Sequence, residues 1–66
     1  MEHASVTKLL TLNEVAELLR KSPSQMRWMR HNGSGPRGAK LGGRLLYRES
    51  DVIDWIQKQF DDQAAA

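Results

Sequence analysis

The residues whose types and spacing bear on chemistry are cations. Arg20, Lys21, Arg27, Arg30, Arg37, Lys40, Arg44 and Arg48 follow one another with no acidic residue between them. Glu2, Glu14, Glu17, Glu49, Asp51, Asp54, Asp61 and Asp62 all lie outside that stretch. A formal net charge of +2 therefore conceals a divided molecule whose middle is drawn to a polyanion, and the polyanion such a footprint fits is nucleic acid. Other chemistries have little to work with. No nucleophile stands at motif spacing from a base, and 66 residues leave little room for a pocket that excludes water, so no enzyme is expected. His3 and His31 lack metal-ligand spacing and there is no cysteine, so neither a metal site nor a disulfide is expected. Gly42-Gly43 lacks the longer glycine spacing and the Lys-Ser/Thr ending of a phosphate-binding loop. Neither a cofactor nor a small-molecule substrate is implied.

The elements that must position these cations are marked by local signals. Thr11-Leu-Asn-Glu14 matches a capping box, and Leu12, Val15, Ala16 and Leu19 recur at helical spacing, with Leu18 broadening the apolar face. This predicts an amphipathic helix from about Leu12 to Arg20. Val6, Leu9 and Leu10 are apolar enough to pack beneath it, as an extended lead-in or an extra helical turn. Ser22-Pro23-Ser24-Gln25 repeats the start signal with proline at the first helical position. The short gap between the two helices is the connection of a helix-turn-helix. On the second helix Met26 and Met29 share the inner side with Ser22, while Ser24, Arg27, Trp28 and His31 fall on the opposite arc and Gln25 at the border. Asn32-Gly33 supplies a stop.

All five glycines and Pro36 fall between Gly33 and Gly43, which predicts loop and turn there. Within that region Ala39-Lys40-Leu41, Gly42-Gly43 and Arg44 to Arg48 have the form of a hairpin, read as a wing. Ser50-Asp51 then caps a third helix with an apolar stripe of Val52, Ile53, Trp55, Ile56 and Phe60. The expected fold is mostly α with a small β-hairpin, a winged helix-turn-helix of three helices and a two-stranded wing. Its divisions are a lead-in over 1–10, the winged domain over 11–60 and a flexible tail over 61–66, with Ala64, Ala65 and Ala66 set aside from the fold. No apolar run approaches a membrane span and the start lacks a signal-peptide layout, so a soluble, intracellular chain is expected.

On this skeleton the second helix is the reader of the major groove of duplex DNA. Ser22, Ser24, Gln25, Arg27, Trp28, Arg30 and His31 are its candidate contacts, Arg27 suited to guanine and Gln25 to adenine. Arg20, Lys21, Arg37, Lys40, Arg44 and Arg48 are candidates for phosphate, on the wing and the backbone beside it. Each also has a plainer reading. Arg30 lies near the buried side, where pairing with Glu14 or Glu17 is an equal alternative. Arg20 and Lys21 answer the dipole at a helix end, and His31 touches a phosphate or nothing. Trp28 packs on the wing, stacks on a sugar or serves a neighbouring subunit, whereas Trp55 and Tyr47 read as core.

From Leu9 to Ile56 the chain resembles the excisionase-type, MerR-like winged helix-turn-helix domains of phages and mobile elements. The pieces that carry the resemblance are Leu10-Thr-x-x-Glu14-Val-Ala-x-Leu-Leu19, Gly33-x-Gly35-Pro36, Leu41-Gly-Gly-Arg44 and Arg48-x-Ser50-Asp-Val-x-x-Trp55. Arg20 stands where members of that family often have glycine, and Gln25 where they often have threonine. The resemblance implies a non-enzymatic recombination directionality factor in the cytoplasm of a bacterial host, on the nucleoid. Such a factor binds and bends double-stranded attachment-site DNA and biases a partner integrase toward excision. A small transcriptional regulator would use the same surface. An adaptor docking its basic face on an acidic protein is a third reading. The acids of the C-terminal portion, Asp51, Asp54, Asp61 and Asp62, suggest head-to-tail self-association on DNA against the basic middle of a neighbour.

Overall fold

Two capping boxes organise the first half of the chain. The computed structural model describes residues 8–64; Glu2, His3, Val6, Ala65 and Ala66 lie outside them. Strand β1 (Leu9–Thr11) leads into helix α1 (Leu12–Leu18), and α2 (Pro23–Asn32) follows across a short turn. The Thr11 hydroxyl accepts from Glu14 N at 3.1 Å while the Glu14 carboxylate accepts from Thr11 N at 2.8 Å. Ser22 and Gln25 repeat that exchange at the head of α2, at 3.1 and 3.0 Å. Each box satisfies amides that have no partner within the helix, and losing one costs about 1 kcal/mol.

The two helices also end alike. In α1, Lys21 N donates to Ala16 O at 2.8 Å and Arg20 N to Glu17 O at 3.1 Å. In α2, Ser34 N donates to Met29 O and Gly33 N to Arg30 O. This is the Schellman arrangement, which needs one left-handed residue. Gly33 fills that place with φ 75°, and Arg20 fills the other with φ 59°. The helix expected to reach Arg20 therefore ends at Leu18, because Arg20 turns the chain away.

The remaining elements are β2 (Ala39–Leu41), β3 (Arg44–Arg48) and α3 (Glu49–Ala64). The expected hairpin is present, with positive φ at both Gly42 and Gly43, as a two-residue turn matching the strand twist requires. It gains a third strand: β1 pairs antiparallel with β3, giving the order β1-β3-β2. Leu10 lies opposite Tyr47, Thr11 opposite Leu46, and Ala39 opposite Leu46 on the other side. Leu9 and Leu10, expected in a lead-in, thus belong to the sheet that the wing extends.

Leu10, Val15, Ala16, Met26, Tyr47 and Val52 form the core, with Leu12, Leu19, Met29, Leu45 and Ile56 packed around them. Tyr47 is at its centre, its ring so close beneath Gly38 that a Cβ there would meet Cε2 at 2.9 Å. Several apolar expectations need correcting. Leu18 is exposed on the short α1, and Ile53 and Phe60 are exposed on α3 at 52% and 69%. Trp55 is half-buried. So small a core covers only the line of α3 through Val52 and Ile56, and the rest of the stripe stays in solvent. Two boundaries of α3 also differ. The helix begins at Glu49, directly from β3 and ahead of the expected Ser50 cap, and it continues through Asp61, Asp62 and Gln63, the stretch expected as a flexible tail. Neither glycine nor proline follows Ser50 to end it.

Candidate nucleic-acid interface

Helix α2 presents its polar and charged side to solvent because Met26, 1% exposed, fixes which way the helix is rolled. At about 100° per residue, Trp28 falls about 200° from Met26, with Ser24 and His31 beside it and Arg27 between that apex and the core. All four are exposed. The helix contains no acid over its whole length, PSQMRWMRHN.

The polar atoms at the head of α2 are already engaged. Gln25 Oε1 accepts from Ser22 N and Ser22 Oγ accepts from Gln25 N. The two-point pairing with adenine expected for Gln25 uses the same Oε1 and competes with the cap. Arg30 is also placed differently from one of its two expectations. Glu14 closes the first capping box, and the Arg30 guanidinium is exposed, with Nη1 donating to Gly38 O at 3.5 Å. Arg30 and Arg37 flank a cleft of about 310 Å³ floored by Met29, Gly33, Gly35, Pro36 and Gly38.

The pleat divides the cations of the wing. Lys40 lies opposite Leu45, on the face shared with Tyr47, whereas Arg44 and Arg48 share the other face with Leu46. Arg44 stands at the turn, where both faces are open. Arg48 is less free than expected, since Nε donates to Asp51 Oδ2 at 3.0 Å. With Arg48 59% exposed, that ion pair is a weak tether. Arg20 and Lys21 sit exposed in the turn between α1 and α2. Sequence reasoning missed a second groove, on the outer face of the sheet. It measures about 360 Å³ and is lined by Leu9, Ala39, Leu41 and Leu46 with Arg37, Arg48 and Asp51 at its rim. The alternation of β3 carried that signal, but only once the β1 pairing was known.

One titratable group in this region is displaced. Burial pushes the Tyr47 phenol above its usual value, and the nearby Arg30 charge pulls it partly back. Its hydroxyl has no hydrogen-bond partner among the described residues. Among those residues no group of three His, Cys, Asp or Glu could hold a metal ion, and no helix is long and apolar enough to cross a membrane.

Two capped helices joined by a tight turn, followed by a wing, are the geometry of a helix-turn-helix. A family model described as a helix-turn-helix domain matches residues 9–59. The chain belongs to that family. No curated protein and no solved structure matches it. In this helix-turn-helix domain α2 is the second helix, the one that in such DNA-binding domains enters the major groove. Ser24, Arg27, Trp28 and His31 lie on its solvent-facing side, and the wing is the next element after α2 in the chain.

Proposed function

We propose that this helix-turn-helix domain is an excisionase-type, MerR-like recombination directionality factor. It binds double-stranded attachment-site DNA through α2 and the wing, bends it, and steers a partner integrase toward excision. The observation that carries the reading is the acid-free run from Arg20 to Arg48, set on a reading helix and a glycine-tipped wing. Arg27, Trp28, Ser24 and His31 face the major groove. Arg37, Lys40 and Arg44 grip phosphate, with Arg30 beside Arg37, Arg20 and Lys21 in the turn between the helices, and Arg48 held back by Asp51.

Bending a 20 to 30 base-pair site smoothly costs about 1 to 6 kcal/mol. Several protomers sharing the site offset that better than one domain, and this chain has surfaces for sharing. The outer groove of the sheet is apolar with Arg37, Arg48 and Asp51 at its rim, and the exposed Phe60 is followed by Asp61 and Asp62 on α3. Head-to-tail association between these two surfaces is part of the proposal. The test is a reconstituted recombination reaction with the integrase and its attachment sites. Adding the protein is expected to raise excision relative to integration, and an unchanged ratio alongside tight duplex binding would favour a transcriptional regulator using the same face.

A further inference from the structure

Trp28 is the largest side chain on the outward face of α2, 65% exposed, and it stands at the apex of that face, opposite Met26. Ser24 and His31 beside it are smaller, so the indole protrudes beyond them. The charges around it select the occupant of this face. With Arg27 on the same exposed side and no acid on α2, the indole points into a surface suited to a polyanion. An α-helix of this diameter fits the major groove, and its apex meets the groove floor. At the head of the helix the capping box engages Ser22 Oγ and Gln25 Oε1, so neither atom is free to read a base. Between the polar Ser24 and His31, the apex itself is the apolar indole of Trp28. The one apolar group that bases present in the major groove is the thymine C5-methyl.

We infer that Trp28 is a specificity-determining residue, packing its indole on thymine methyl groups at the floor of the major groove and favouring thymine beneath the middle of α2. This rests on the DNA-binding reading above. The probe is a duplex recovered from a random-sequence pool by the wild-type protein, compared with the same duplex carrying deoxyuridine for each thymine in turn. The chain has two tryptophans, so in Trp55→Phe the emission reports Trp28 alone. Duplex binding is expected to quench that emission and move it to shorter wavelength. Removing each contacted methyl is expected to weaken binding about fourfold. Trp28→Ala, whose side chain is outside the core, is expected to keep the wild-type melting temperature and salt slope while binding thymine and uracil duplexes equally. Unchanged Trp28 emission on binding, or equal wild-type affinity for the two duplexes, overturns this inference alone. Failure to bind any duplex overturns it together with the DNA-binding reading.

Discussion

Arg20 and Gly33 hold equivalent places at the ends of α1 and α2, and they act as an internal comparison. Both are left-handed, but only glycine adopts that conformation freely; for an L side chain the cost is roughly 1 to 2 kcal/mol. Arg20→Gly is expected to raise the unfolding free energy by about 1 kcal/mol, read from urea denaturation. The same variant tests phosphate contact, since losing one such cation lowers the log-log salt slope of duplex binding by about 0.9. Tyr47 makes a second residue-scale prediction. Its phenol is raised in the folded state, so the neutral form stabilises the fold below the unfolded value near 10. That contribution is lost as pH rises through the raised folded value. The urea midpoint is expected to fall on that alkaline side, and less so in Tyr47→Phe. As the only tyrosine, Tyr47 can be followed by tyrosinate absorbance in the same titration. The left-handed role of Gly33 was legible because glycine announces it. Arg20 carried no such signal in its own type.

At the scale of elements, legibility followed the range of the signal. Both capping boxes, the Gly33 stop and the Gly42-Gly43 hairpin were readable because each is written within a few adjacent residues. Strand β1 was ambiguous because Leu9 and Leu10 fit a helix or a strand equally, and only pairing with the distant β3 decides. The extension of α3 was missed because polar residues were read as a tail, although nothing there breaks a helix. Its exposed Ile53 and Phe60 follow from a core too small to cover a full apolar stripe. The candidate site divides in the same way: the outward face of α2 came from helical periodicity, while the Arg48–Asp51 pair and the split of the wing cations needed the register. A prediction belongs to the wing. Gly42 and Gly43 both require positive φ, so a Gly42→Val/Gly43→Val variant should strain the turn by roughly 1 to 2 kcal/mol at each position. It is expected to weaken duplex binding while α1 and α2 keep their helical circular dichroism. Undiminished affinity would remove the wing from the interface.

The whole molecule is electrically lopsided, with cations between Arg20 and Arg48 and Asp54, Asp61 and Asp62 along α3. That separation makes two copies complementary even though each carries little net charge. The acidic end of α3 is also apolar at Phe60, and the outer groove of the sheet is apolar within a rim of Arg37, Arg48 and Asp51 that is net basic, so apolar burial and charge would act together at one contact. Within the chain, Asp62 meets Lys58 at 3.4 Å and Asp61 accepts from Gln57 at 3.1 Å. Both contacts are exposed and weak enough to be exchanged for a neighbour's arginine. Reversing Asp61 and Asp62 to lysine separates two effects of opposite sign. Binding of one protomer to a single-site duplex is expected to tighten, because the variant is more positive. Cooperativity on a duplex with adjacent sites is expected to fall, because the α3 end would now repel the arginine rim of the next protomer. Titration of both duplexes at one fixed salt concentration distinguishes them, and tighter single-site binding with undiminished cooperativity would place the contact between protomers elsewhere.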